Sequence, residues 1–435
     1  MKVDTLFLLP LLQKINPSIF HYDEVDQITQ ANAEGRRILV TYKNDNMDAQ
    51  TSNQEELFVK QIVATHYLHK SWADLRRTLS YARTEVRFYK DFAPQFKEIF
   101  TPKCLHAEIT LADVMKEDES VTDVNHDPPD QWPSDDQDQE QKRSCLQNIA
   151  GYLVLQSISS SDYVQESPLT LDQATTCLEA VAQLHGSCWE NADLLKQASN
   201  QLSERGGSYH LSIRNPKEYH GLVASWNHFV SNFQHLDEEL FQREEIQNVG
   251  KRIHNLTKYV SDQLSPTYTD SYATIVHGDY KAMNVFLPIH QNDKKALMID
   301  FASAGLGFGM SDVAFHIPHA VHPNDLANGG EDLLVEAYFN ALTKARKKSG
   351  NLSSYPRDVA LRHYRLASID YFRFILGRFW KSATVDTFEK RKNSQNTVLV
   401  NRNADAAFAF IRRVEGYLSE FEQELEDSKM KCKSS

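Results

Sequence analysis

The residues in this sequence whose types and spacing suit work on a phosphate are Asp279, Asn284 and Asp300. The stretch His277-Gly278-Asp279-Tyr280-Lys281-Ala282-Met283-Asn284 sets a carboxylate and an amide five residues apart, and sixteen residues later Asp300 follows the apolar run Ala296-Leu-Met-Ile299 and precedes Phe301. Phosphoryl transfer asks for positioning more than covalent work: a carboxylate to orient the attacking hydroxyl, oxygen ligands for magnesium and a cation on the nucleotide phosphates. Asp279 meets the first requirement. Asn284 and Asp300 meet the second, because Mg2+ prefers hard oxygen donors and keeps several of its waters. Lys281, two residues beyond Asp279, is placed to offset charge developing on the transferred group; the plainer reading makes it a surface lysine in a turn.

These residues need a frame. Tyr272-Ala-Thr-Ile-Val276 and Ala296-Leu-Met-Ile299 are β-rich runs on either side of the His277 stretch, and the pattern predicts that they form a hairpin-like pair. Earlier, Arg36 to Tyr42, Glu56 to Lys60 and Ala150 to Leu155 read as strands, and Ser71 to Phe96 as one long helix ending near Pro94. Leu6 to Leu12 reads as the first packed helix. Leu171 to Trp189 has the apolar spacing of a buried helix with Thr170 as its N-cap. Arg357 to Arg378 and Ala404 to Glu426 are two more amphipathic helices. The expected class is α+β, with a smaller β-rich lobe over 1–156 and a larger, mostly helical lobe over 157–435.

Composition narrows the rest. An apolar fraction of 41% suffices for a globular core. The five cysteines, Cys104, Cys145, Cys177, Cys188 and Cys432, are scattered and form no C-x-x-C pair, which points away from a disulfide framework and toward a reducing, cytoplasmic setting. The Leu6–Leu12 run is interrupted by Pro10 and preceded by Asp4, so it does not read as a signal peptide, and no stretch has the length of a membrane span. A net charge of −12 argues against general nucleic-acid binding. From Glu117 to Glu140 there are ten acidic residues and no Lys or Arg, with Pro128, Pro129 and Pro133 among them. Such a segment, about 116–143, is expected to be a disordered acidic insertion; a docking arm for a basic protein partner is its functional alternative.

The sequence resembles the aminoglycoside phosphotransferase and choline kinase-like superfamily, and within it the ecdysteroid kinase-like group, from about Asn16 to Glu420. The resemblance rests on His277-Gly278-Asp279, with Gly where protein kinases carry Arg, on Ile299-Asp300-Phe301 followed by Gly307-Phe-Gly-Met-Ser-Asp312, and on Ala182-Gln-Leu-His185-Gly-Ser-Cys-Trp189. It implies a bilobal protein-kinase-like fold, ATP and Mg2+ as cofactors, Asp279 as the catalytic base, Asn284 and Asp300 as the metal ligands, and Asp312 as a brace for the catalytic loop. Lys60, ending Leu57-Phe-Val-Lys60, matches the lysine on the α- and β-phosphates, and Glu85 the helix glutamate that pairs with it. Two departures stand out. The phosphate-covering loop would fall at Thr29 to Gly35 with a single glycine. The hinge Leu155-Gln-Ser-Ile158 lacks an acidic residue, which leaves adenine to backbone groups of Gln156 and Ile158.

The acceptor implied is a small molecule with a hydroxyl, choline-like, sterol-like or another alcohol. Only eleven residues separate Asp300 from Asp312 and no Ala-Pro-Glu follows, so little platform exists for a peptide. Tyr364, Tyr371, Phe372, Phe374, Phe379 and Trp380 are candidates for lining the acceptor pocket, against the plainer reading that they are core. His316, His319 and His322 suggest a metal-dependent hydrolase instead, but Pro318 and Pro323 are expected to break any helix that would align them. The remaining alternative is a kinase-like nucleotide-binding or scaffold protein without turnover.

Overall fold

The computed structural model describes residues 5–29, 33–43, 53–70, 72–96, 99–110, 140, 144, 146–147, 150–207, 209–211, 216–290 and 295–434. The acidic insertion at 116–143 lies almost wholly outside them. Contacts divide the chain into two compact units, one running to Tyr163 and the other from Val164 onward, with Phe100 grouped in the second. The class is α+β, β-rich in the first unit and mostly helical in the second.

The first unit is an antiparallel sheet of β1 (Ile19–Thr29), β2 (Glu34–Tyr42), β3 (Gln54–Val63), β4 (Cys104–Thr110) and β5 (Ala150–Gln156), in the order β1-β2-β3-β5-β4. Alternation along β3 divides its side chains between two layers. Leu57 and Val59 pack with Ile38, Val40 and Val154 against Leu11 and Leu12 of the Thr5–Ile15 helix. Ile62, on the opposite face, joins Leu75, Leu79 and Ala82 of the Trp72–Arg87 helix. That helix ends seven residues short of Pro94; the chain continues as a π turn (Phe88–Phe92) and a 3-10 turn (Ala93–Gln95). Of the expected phosphate-covering loop, Gln30 to Asn32 lie outside the described residues, and the single glycine, Gly35, stands inside β2 opposite Lys60.

In the second unit the Leu171–Cys188 helix starts at Thr170 with a full capping box, Thr170 and Gln173 satisfying each other's backbone amides. The two β-rich runs do not pair with each other. Ala273–Val276 pairs antiparallel with Gly305–Phe308, and Leu297–Met298 pairs with Val285–Phe286. Nor does Pro318 break its helix, which runs from Met310 to Ala320 with every residue buried. Pro318 sits in its last turn, where it has no N–H to give the carbonyl of residue 314. The Arg357–Arg378 helix is buried on most sides, and the final helix runs from Ala404 to Ser434. Among the described residues no helix is long and apolar enough to cross a membrane, and Cys104, Cys177 and Cys188 are free thiols.

Candidate active site

The His277–Asn284 loop is fixed from three sides. His277, fully buried, donates from Nε2 to Ile299 O at 2.9 Å and accepts from Asp279 N–H through Nδ1 at 3.3 Å. Asp312, also fully buried, accepts the amides of His277 at 2.7 Å and Gly278 at 2.9 Å on its two carboxylate oxygens. Tyr280 turns inward and donates its hydroxyl to Cys177 O at 2.5 Å, while His316 Nδ1 donates to Tyr280 O at 2.9 Å. Gly278 has φ +80°, and a Cβ there would lie 2.2 Å from Ser303 O. That contact is the physical reason for Gly in place of Arg: no side chain fits.

Of the loop's polar side chains, Asp279 and Lys281 are partly exposed and Asn284 is buried. Asn284 donates from Nδ2 to Asp279 O at 2.7 Å and to Asp279 Oδ2 at 3.2 Å, which commits its nitrogen and leaves Oδ1 for another partner. Lys281 Nζ donates to the same Oδ2 at 2.9 Å. Asp300 sits in the left-handed region at φ 65°, ψ 60° and opens the turn Phe301–Ser303, whose Phe301 is fully buried. Ile299 N–H donates to Asn284 O at 3.0 Å, so Asp300 is one residue from a direct backbone link to Asn284. The structure thus gathers Asp279, Lys281, Asn284 and Asp300. A carboxylate pair with an amide oxygen is a hard-oxygen donor set, which fits Mg2+.

In the first unit, Lys60 on the central strand β3 donates from Nζ to Glu85 Oε2 at 2.6 Å, and both side chains are buried. The expected hinge is less open: Gln156 N–H is taken by Lys103 O at 2.9 Å and Ser157 N–H by Glu56 O at 3.1 Å. The Gln156 amide is therefore taken up within the sheet.

Of the six candidate pocket aromatics, Tyr364, Tyr371, Phe372, Phe374 and Trp380 are at most 7% exposed and Phe379 is 37% exposed. The first five are core. His316 and His319 do share the Met310–Ala320 helix, but His322 caps the next short helix, and among the described residues no three His, Cys, Asp or Glu side chains converge on a metal site. Sequence reasoning missed the contact of His185 Nε2 with Asp312 Oδ2 at 3.0 Å and of His185 Nδ1 with the Tyr338 hydroxyl at 2.8 Å. The histidine was visible within Ala182–Trp189; its partner 127 residues away was not.

A β-rich unit with a buried Lys–Glu pair, and a helical unit with a braced His-Gly-Asp loop and a following Asp, define a kinase-like chain. It belongs to the Ecdysteroid kinase-like family, whose profile matches residues 36–351. No curated protein matches the chain. Among solved structures, a putative aminoglycoside phosphotransferase from Ralstonia eutropha aligns at 12% identity and TM-score 0.45, over 96% of this chain and 98% of that one. Amicoumacin kinase in complex with AMP-PNP and Ca2+ aligns at 12% identity and TM-score 0.42, over 95% and 94%. A microcompartment-associated aminopropanol kinase aligns at 10% identity and TM-score 0.43, over 96% and 98%.

Proposed function

We propose that this chain is an ATP- and Mg2+-dependent phosphotransferase that moves the γ-phosphoryl group of ATP to a hydroxyl of a small molecule. The observation that carries the reading is the hydrogen bond from Ile299 N–H to Asn284 O, 3.0 Å long, which ties Asp300 to the loop holding Asp279 and Asn284. Asp279 orients the acceptor hydroxyl and takes its proton. Asn284, its amide nitrogen held by Asp279, and Asp300 are the metal ligands. A magnesium ion held there would supply positive charge against the negative charge that develops on the phosphate. Lys281 lies against Asp279 Oδ2 and adds a positive charge beside the transferring group. Lys60, steadied by Glu85, holds the α- and β-phosphates; the Gln156 carbonyl and Ile158 backbone serve the adenine. Nucleotide holding falls to 1–156 and catalysis with acceptor binding to 157–435.

The test is thermal melting with and without Mg-ATP, wild type against Asp300→Asn. A ligand at one hundred times its dissociation constant, binding only the folded state, adds about 2.7 kcal/mol. The expected result is a magnesium-dependent rise in the wild type that the variant loses. No shift in the wild type with any nucleotide would sink the reading and favour a non-catalytic, kinase-like scaffold.

A further inference from the structure

The Arg357–Arg378 helix buries an ion pair: Arg373 Nε donates to Asp370 Oδ1 at 2.7 Å, and each residue is 2% exposed. Such a pair is a poor source of stability, because apolar residues of similar volume often do as well or better in its place. What it does is fix the guanidinium, whose rigid fork has a second nitrogen to place. That nitrogen donates to the carbonyl oxygen of Tyr209, a buried residue whose ring stacks on Phe315 at 5.3 Å.

Tyr209 follows a short stretch laid along the turn that Asp300 opens and Ser303 closes. The amides of Ser203, Gly206 and Gly207 donate to Ala304 O at 3.1 Å, Leu306 O at 2.6 Å and Ser303 O at 3.0 Å. The fit is close. A Cβ at Gly206 would lie 2.3 Å from the Val276 side chain, and one at Gly278 would lie 2.6 Å from Gly207 N, so the stretch abuts the His-Gly-Asp loop as well. Its flanks are held by Arg205 Nη1, which donates to Pro266 O at 2.7 Å, and by His210 Nε2, which donates to Ser265 Oγ at 2.9 Å. Arg373 grips the chain between those two anchors, two residues from Gly207.

We propose that Asp370 and Arg373 are positioning residues for the Asp300 turn: acting through the Tyr209 carbonyl and residues 203–207, they set where Asp300 stands relative to Asn284, and so the affinity for Mg2+ bound with nucleotide. The inference rests on the phosphotransferase reading. Asp370 orients the guanidinium, the guanidinium holds Tyr209 O, and Gly207 N–H carries the restraint to Ser303 O. Removing the groups that support metal ligands from behind lowers metal affinity about 10–100-fold. With Arg205 and His210 still in place, the lower end of that range is expected.

The experiment compares full-length wild type with two variants. Asp370→Leu/Arg373→Met removes both charges and keeps the volume, so the fold is expected to hold. Arg373→Lys keeps a cation beside Asp370 but replaces the fork with a compact ammonium. Melting with AMP-PNP over a Mg2+ series gives the half-saturating Mg2+, and amide hydrogen exchange without nucleotide reports on the turn. Both variants should need about tenfold more Mg2+, with the shift at saturating Mg2+ unchanged. Their Ile299 and Ala304 amides should exchange faster along with those of residues 203–207, while the Leu171–Cys188 helix keeps its wild-type protection. Half-saturating Mg2+ within about twofold of wild type in the double variant, or in Arg373→Lys should the double variant not melt cooperatively, would overturn the proposal. So would faster exchange confined to residues 203–207. Faster exchange throughout the chain, or loss of cooperative melting in both variants, would overturn it too, since the pair would then hold the whole fold rather than the turn. Absence of any Mg-AMP-PNP shift in the wild type removes the phosphotransferase reading and the proposal together; the other failures remove the proposal alone.

Discussion

His185 donates from Nε2 to Asp312 Oδ2 across 3.0 Å, with both side chains fully buried. The Tyr338 hydroxyl fixes the other ring nitrogen, and a Cβ at Gly309 would stand 2.2 Å from that hydroxyl and 2.6 Å from His185 Nδ1, so the chain of contacts exists because residue 309 is glycine. Burial by itself would raise the Asp312 carboxyl. The hydrogen bonds from His185 and from the Gly278 amide outweigh it and hold the group below its ordinary value. An ionised Asp312 is what keeps two loop amides in place.

Replacing His185 with Phe strips a buried carboxylate of one donor. Leaving a buried carboxylate short of a hydrogen bond costs about 1–3 kcal/mol or more. Urea denaturation should show a loss of that order, and phosphate transfer should fall in kcat more than in the KM for ATP, since His185 acts through Asp312 on the loop. A loss below about 1 kcal/mol would show that the loop does not depend on this contact.

The Lys60–Glu85 pair permits a cleaner separation of stability from function. Lys60→Met takes the ammonium from a carboxylate 2.6 Å away and should destabilise by about 3 kcal/mol or more. Adding Glu85→Leu removes the buried carboxylate as well and should restore much of the melting temperature. If Lys60 holds the nucleotide phosphates, the double variant folds yet gains no stability from Mg-ATP. A nucleotide shift equal to wild type in the double variant would take Lys60 out of that role.

What was legible in the sequence was local. The loop from His277 to Asn284 and the approach to Asp300 could be read because spacing along one stretch of chain carries the arrangement. Strand partnership was not legible. Gly305-Leu-Gly-Phe308 has the glycine content of a loop, so Ala273–Val276 looked for a partner in Ala296–Ile299 instead. The glycines are demanded by packing: a Cβ at Gly305 would lie 2.1 Å from Ser203 O, and one at Gly307 would lie 2.9 Å from the Val276 side chain. Close approach in three dimensions overrode β propensity. The same limit hid the His185–Asp312 contact, which depends on which helices meet.

Gly278→Ala tests the tight approach at the loop. The residue has φ +80°, and its Cβ would meet Ser303 O at 2.2 Å and Gly207 N at 2.6 Å, both backbone atoms that cannot swing away. Strain at such a position costs about 1–3 kcal/mol before the clash is counted. Melting should drop sharply and transfer should be lost. Gly416→Ala is the control: it lies in the Ala404–Ser434 helix with nothing within 4 Å of the new methyl, and it should stabilise by about 0.5–1 kcal/mol. Equal effects at the two sites would refute the steric account of the His-Gly-Asp sequence.

Acid should weaken the fold well above the carboxylate range. Burial lowers the imidazoles of His210, His316 and His363 to about 4. In the unfolded chain each titrates near 6.5, so between those values the unfolded state carries more protons than the folded one, and stability rises with pH across that window. Going from pH 7 down to pH 5 should therefore remove on the order of 2 kcal/mol for each buried imidazole. His363→Phe isolates one of them: the ring stacks on Phe308 at 3.9 Å and 18°, so phenylalanine keeps the stack and loses the titration. The variant also forfeits the 2.8 Å contact with the Tyr355 hydroxyl, a cost that is the same at either pH and leaves the slope untouched. Melting followed from pH 7 to pH 5 should fall less steeply in His363→Phe than in the wild type, and parallel curves would show that His363 takes up its proton in the folded protein as readily as in the unfolded chain.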